Sequence, residues 1–282
     1  MDGAADRRPV EGRPVDRPRT RLGVVGWPVA HSISPPMQNA ALDSVGLAGW
    51  HYQRLPIPPE LFDETVAALA GVGFRGVNVT IPHKHAALAL ATDPTPRASA
   101  IGAANTLIFE SGGEIRADNT DAPGLIAALP VPAAGRTALV LGAGGSARAA
   151  VWALIDAGAR EVRVWNRTPE RARELAADLG ASPVARAEPA DLLVNCTSVG
   201  LDPLEDPFKP LPIDADDVTS YECVVDLVYR DTETPLVQAA RARHVRVVGG
   251  RELLVRQGAL SFELFTGHAA PIEIMRRAAG AR

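Results

Sequence analysis

One junction limits the fold more than any other feature. Thr137-Ala138-Leu139-Val140-Leu141 is a short, almost wholly apolar run, the kind found in a parallel strand covered on both faces. Gly142-Ala143-Gly144-Gly145-Ser146-Ala147 follows directly, and a helical stretch from Ser146 to Ala157 follows that. Glycines in such a turn let backbone approach a diphosphate closely. The helix N-terminus adds free N–H groups and the positive end of its dipole. An ordinary strand-to-helix turn also uses glycine, and the flanking strand and helix are what favour a dinucleotide. The next strand, Glu161 to Trp165, ends in Asn166-Arg167-Thr168, with Arg171 close behind. An acid there would hydrogen-bond the 2′-hydroxyl of NAD, whereas guanidinium groups bind a phosphate through paired, charge-assisted bonds. The expected cofactor is therefore NADP(H), bound by Gly142, Ala143, Gly144, Gly145, Ser146, Ala147, Asn166, Arg167, Thr168 and Arg171. The plainer alternative is that the arginines only solvate a helix start. Glu170 would oppose a phosphate, but acids are common in a first helical turn.

The rest of the chain alternates in the same way. Strand candidates are 21–26, 51–55, 76–80, 161–165, 192–194, 224–227 and 245–248. Helical stretches are 35–45, 59–70, 83–91, 121–129, 169–179 and the tail from Arg251. Ser111-Gly112-Gly113 separates two further strands, 105–109 and 114–117, as a hairpin signal. The alternation argues α/β architecture with parallel sheets. A length of 282 residues favours two domains over one core. The first unit is read as 21–120 and the second as 121–249, with C-terminal helices at 250–282. Residues 202–217, acidic and proline-containing, read as a long loop and a candidate lid. Residues 1–20, rich in Arg, Pro and Asp, read as a disordered tail. Asp2, Asp6, Glu11 and Asp16 argue against an organelle transit peptide.

A net charge of −4 gives no footprint for nucleic acid or an anionic membrane, and no apolar run is long enough to span a bilayer. Cys196 and Cys223, the only cysteines, cannot make a disulfide framework or a four-thiolate zinc site. The expectation is a cytoplasmic protein with small-molecule partners, and a homodimer is left open.

Several polar residues have two readings each. Lys84, after Pro82 in Asn78-Val79-Thr80-Ile81-Pro82-His83-Lys84, is either a surface lysine or a donor to a ketone oxygen. Asp121, closing Asp118-Asn119-Thr120-Asp121, is either a helix cap or a partner for that lysine. Ser32 and Ser34, in His31-Ser32-Ile33-Ser34-Pro35, could hold a carboxylate on one side of an extended segment. Spacing alone favours Ser34 as a cap. His83 and His85 do not share a helical face and no carboxylates adjoin them, so no metal is expected. His31 is a reserve acid or base. Gln257 sits on a helix with apolar neighbours.

Taken in order, these segments resemble the bacterial shikimate dehydrogenase family. Further matches are Gly102-Ala103-Ala104-Asn105-Thr106, Asn195-Cys196-Thr197-Ser198-Val199-Gly200, Asp226-Leu227-Val228-Tyr229 and Gln257-Gly258-Ala259-Leu260-Ser261-Phe262. The similarity runs from Leu22 to about Gly267. It implies a substrate domain built from both chain ends and a Rossmann-type, doubly wound NADP domain between them. It implies reversible, NADPH-dependent reduction of 3-dehydroshikimate to shikimate in aromatic amino acid biosynthesis. By motif, Lys84 and Asp121 would be catalytic. Ser32, Ser34, Thr80, Asn105, Tyr229 and Gln257 would bind substrate, and Thr197, Ser198 and Gly250 would join the cofactor residues. Arg230-Asp231, Leu254, Phe265 and Cys196 depart from the residues common in the family. Three rival readings remain. One is a quinate/shikimate dehydrogenase with relaxed substrate or cofactor choice. Another is a catalytically idle NADP-binding regulator. A methylenetetrahydrofolate dehydrogenase shares only the two-domain plan.

Overall fold

A computed structural model of the chain describes residues 20–202 and 208–281. The tail expected at 1–20 thus lies outside the described residues, except Thr20, which opens the first strand. The first unit contains β1 (Thr20–Gly26), α1 (Ser34–Ser44), β2 (Trp50–Pro56), α2 (Phe62–Ala68), β3 (Phe74–Val79) and α3 (Lys84–Leu90). It continues through β4 (Asp93–Pro94), α4 (Pro96–Ile101), β5 (Thr106–Phe109) and β6 (Ile115–Asp118). These strands form one six-stranded sheet in the order β2-β1-β3-β5-β6-β4. The β2-β1-β3 part is parallel, and the hairpin β5-β6 makes the rest mixed.

The second unit contains α5 (Asp121–Ala128), β7 (Thr137–Leu141), α6 (Gly145–Asp156), β8 (Glu161–Trp165), α7 (Pro169–Leu179), β9 (Ser182–Pro183) and β10 (Leu192–Asn195). After it come β11 (Cys223–Asp226), α8 (Pro235–Ala242), β12 (Arg246–Val248), α9 (Gly250–Thr266) and α10 (Ile272–Ala278). The second sheet is parallel throughout, in the order β12-β11-β10-β7-β8-β9. This is the doubly wound order, and its direction of winding reverses between β7 and β10. A crevice for a ligand opens beyond the strand ends at such a reversal.

The apolar run in β7 has a simple cause. Ala138 and Val140 pack under α6 and α7, while Leu139 and Leu141 pack on the opposite face with α8. Neither face meets water, so Ala138 to Leu141 are all apolar, while the Thr137 hydroxyl at the strand start is satisfied by Asp191. The first sheet is likewise covered twice, by α2, α3 and α4 on one side and by α1, α9 and α10 on the other. The C-terminal helices therefore return to the sheet that the N-terminal half began. Ile101, Ala103, Ala122, Ala149 and Ala153 form a small apolar joint where α4, α5 and α6 meet.

Three details differ from expectation. The stretch 59–70 is not one helix, because 3-10 turns at Pro59–Leu61 and Ala70–Val72 flank a short α2. The second turn ends on left-handed Gly73 (φ 88°). Helices α4 and α8 were not expected. Both open on Thr-Pro, where Thr95 and Thr234 accept bonds from the N–H groups of Ala98 and Val237. Of the loop read at 202–217, residues 203–207 lie outside the described set. Its later part is anchored, with Leu211 and Ile213 buried on the second sheet.

Candidate active site

One cleft is lined from the strand ends of both sheets. Ser32, Ser34, Thr80, Lys84 and Asn105 face it from the first, with Asp121 from α5 and Gln257 from α9. Ser146, Thr197, Ser198, Tyr229 and Gly250 face it from the second. Residues far apart in sequence thus converge.

Lys84 is the first residue of α3 and only 8% exposed. His83 N–H bonds back to Thr80 carbonyl (3.0 Å), and Lys84 carbonyl accepts from Ala104 N–H (2.9 Å), so the backbone is held on two sides. The ammonium donates to Asp121 Oδ2 at 2.6 Å and to Ser146 Oγ at 2.8 Å. Asp121 is the first residue inside α5, and Thr120 occupies the cap position. The cap reading of Asp121 fails because its carboxylate turns to Lys84. Likewise Ser34 lies inside α1, whose cap position is Ile33. Burying an ion pair carries a desolvation penalty that its attraction often fails to recover, so stability does not explain the pair. A part-buried ion pair that lines a cleft among other convergent polar groups is a candidate functional site.

Asn105 organises the other side of Asp121. Its amide nitrogen donates to Asp121 Oδ1 (2.8 Å), Thr120 Oγ1 (3.0 Å) and Gln257 Oε1 (3.3 Å). Its oxygen accepts from Thr120 N–H at 2.8 Å. Thr120 and Arg54, which hold Asn105 and the Ser32 segment without lining the cleft, were missed. Thr120 reads as part of a cap motif. Arg54 donates two bonds to the Ser32 carbonyl, at 3.0 and 2.6 Å, and so fixes the serine segment; nothing in its spacing marks it. Burial raises the Tyr229 phenol, and contact with the Ser32 side chain works against that rise. His31 is exposed at the cleft. His83 is buried, stacks on Phe62 and contacts Ile57 carbonyl at 2.8 Å. His85 contacts Gly102 carbonyl at 3.0 Å instead of forming a ligand cluster with it.

A second cleft adjoins the first at the reversal between β7 and β10. Gly142, Ala143, Gly144, Asn166 and Arg167 line it, and Cys196, Thr197 and Ser198 line both clefts. Gly142 has φ +109°, and a side chain there would press on the Cys196 backbone. Space around Gly144 is open. The Asn166 amide donates to Thr168 carbonyl (2.9 Å) and closes the turn after β8. Arg167 and Arg171 are exposed and form no ion pair among the described residues. An open glycine at a helix N-terminus, in a cleft also lined by the unpaired Arg167 guanidinium, fits a phosphorylated dinucleotide. Thr168 and Arg171 do not line the cleft. Gly145 and Ser146 face Lys84, and Ala147 is buried in the core. A side chain at Gly250 would strike the carbonyls of Leu227 and Val228, both at 2.6 Å. Gly250 therefore fits α9 against the segment carrying Tyr229.

Burial lifts the Asp226 carboxyl to about 6. It accepts from Asn195, Thr234 and Val228 N–H, tying together the loops after β10 and β11. Among the described residues no group of three or more His, Cys, Asp or Glu could hold a metal ion.

Comparison with known proteins gives consistent matches along the chain. Residues 24–107 match the shikimate dehydrogenase substrate binding domain. Residues 127–198 match the shikimate / quinate 5-dehydrogenase model, and 250–279 match the shikimate 5′-dehydrogenase C-terminal domain. The chain is 47% identical to a shikimate dehydrogenase (NADP(+)) of Anaeromyxobacter dehalogenans strain 2CP-C, over 94% of this chain and 97% of the relative. It is 42% identical to that of Paracoccus denitrificans, over 94% and 96% respectively. Among solved structures, shikimate 5-dehydrogenase from Thermus thermophilus, in complex with NADP(H) and shikimate, superposes with a TM-score of 0.83. Its identity is 42%, covering 93% of this chain and 98% of that one.

Proposed function

Since the chain belongs to the shikimate dehydrogenase family, we propose that Lys84 and Asp121 are its catalytic pair, at the cleft between its two sheets. The activity is reversible, NADPH-dependent reduction of 3-dehydroshikimate to shikimate, a step of aromatic amino acid biosynthesis. The observation that carries the residue assignment is the 2.6 Å contact between Lys84 Nζ and Asp121 Oδ2, inside the cleft.

NADPH, when bound, supplies hydride to the ring ketone carbon. Gly142, Ala143 and Gly144 would hold its diphosphate, and Arg167 its 2′-phosphate. Asn166, Thr197 and Ser198 complete the cradle. As negative charge grows on the ketone oxygen, Lys84 meets it. The ammonium has three N–H groups; Asp121 and Ser146 take two, which leaves one for the substrate. A donor already fixed in direction stabilises that charge without reorganising, and this is the larger part of its effect. Lys84 then gives up a proton. In the reverse direction, neutral Lys84 accepts the proton of the alcohol. Asp121 orients the lysine throughout. Ser32, Ser34 and Tyr229 would hold the carboxylate end, and Thr80, Asn105 and Gln257 the hydroxyls.

In this reading the substrate domain joins residues 21–120 to the C-terminal helices from 250, and residues 121–249 form the NADP domain. The shared burial of α1, α9 and α10 supports that division. Among the described residues no helix is long and apolar enough to cross a membrane. We place the enzyme in the cytoplasm, and light scattering tests whether it forms a homodimer. The shikimate / quinate model match keeps quinate as a second substrate to test. Lys84→Ala is the direct test of the assignment. It should lower kcat by roughly 10²–10⁴-fold, the range for an acid–base group. Near-normal kcat would refute it.

A further inference from the structure

We propose that the Ser146 side chain, and the lack of one at Gly145, serve the catalytic lysine, so that the dinucleotide-binding helix also positions the proton donor. The inference rests on the reading of Lys84 as the catalytic group.

Sequence pattern assigns both residues to the diphosphate turn. Their surroundings say otherwise. Gly145 does not adopt a left-handed backbone, so its conformation is open to any residue. Space is the constraint. A Cβ at Gly145 would lie 2.8 Å from Lys84 Cβ and 3.1 Å from Cδ, while one at Gly144 would meet nothing within 4 Å. The nearer contact is to an atom rooted in the start of α3, which cannot swing aside as a side-chain tip can. Gly145 is therefore the floor on which the lysine stem rests. One residue on, Ser146 Oγ accepts from Lys84 Nζ at 2.8 Å.

Asp121 alone would leave the ammonium free to pivot about one bond. A second acceptor, 62 residues away on another element, fixes its direction and leaves one N–H for the substrate. The same helix docks on the first unit two residues later, where Arg148 Nε donates to the Ile101 carbonyl at 2.6 Å. The seat is thus tied to the first unit at a second point, the end of α4. Ser146 is a positioning residue: its side chain acts through Lys84.

The test compares wild type, Ser146→Ala, Lys84→Ala and the double variant in shikimate oxidation with NADP+. The dissociation constant for NADPH is read separately by fluorescence titration. Ser146→Ala should lower kcat roughly tenfold, the low end for a lost hydrogen bond to a charged group. NADPH binding should stay close to wild type. In the Lys84→Ala background the same change should have no further effect. Ser146→Thr, which keeps the hydroxyl, should restore most of the rate. Gly145→Ala should lower kcat more than it weakens NADPH binding. Equal losses from Ser146→Ala in both backgrounds, or weakened NADPH binding with kcat intact, would overturn the inference and leave the role of Lys84 standing. Near-normal kcat in Lys84→Ala would overturn both.

Discussion

Replacing Asn105 with alanine tests whether the polar network holds Asp121 in place. Asn105 is 3% exposed, and its amide bridges Thr120, Asp121 and Gln257. Alanine would leave the Thr120 N–H without its 2.8 Å acceptor at a residue that no water reaches. One buried, unmet donor costs about 1–3 kcal/mol. The small cavity left behind adds about 1 kcal/mol. Together these give about 2–4 kcal/mol, and at ~2–4 °C per kcal/mol the melting temperature should fall by roughly 5–15 °C. Activity should suffer separately, because Asp121 loses a 2.8 Å donor to its charged oxygen. Such a bond is worth about 1.5–3 kcal/mol, which is roughly 10–150-fold in kcat/KM. Thermal melts followed by circular dichroism and initial rates of NADP+ reduction measure the two effects on one preparation. A variant that melts and turns over like wild type would refute the reasoning. A drop in melting temperature with intact kcat/KM would show that the network serves the fold alone.

Other perturbations probe single contacts. Arg167→Ala should raise KM for NADPH far more than for NADH, and an equal change would remove Arg167 from the 2′-phosphate. Gly26→Ala would place a methyl group 2.5 Å from Thr80 Cγ2 and push that side chain toward the cleft. KM for shikimate should rise while KM for NADP+ holds. Burial raises the Asp226 carboxyl from 3.8 to about 6, so the folded state holds that proton more tightly than the unfolded chain. Its stabilising contribution is full below 3.8 and is lost as pH rises through about 6. Asp226→Asn should therefore flatten the fall in melting temperature over that window, and an unchanged slope would exclude Asp226 as its source. Burial also raises both thiols, Cys223 to about 11. Iodoacetamide should label the native protein far more slowly than the unfolded chain, and rapid native labelling would contradict that.

Much of the second sheet was legible because its central strands, β7, β10 and β11, are buried on both faces. Thr137–Leu141 contains nothing but residues that such a position accepts, and the glycine turn follows where the winding reverses. Helices α4 and α8 were less visible, since each is too short to repeat an apolar spacing, although the Thr-Pro openings were there to read. The site was legible as motifs and illegible as geometry. Lys84 and Asp121 each match a common surface role, and only folding brings them to 2.6 Å across 37 residues. Arg54 acts through a carbonyl, a contact that no side-chain pattern encodes. For Ser146 and Ala147 the motif speaks of backbone N–H groups and is silent on the side chains. One side chain turns to the lysine and the other into the core.

The most direct test of the account is a turnover matrix on the intact protein, with shikimate and quinate each offered NADP+ and NAD+. Shikimate with NADP+ should exceed the other three combinations by a wide margin, because Arg167 stands where an NAD enzyme would carry an acid. Comparable or faster turnover of quinate with NAD+ would contradict the account.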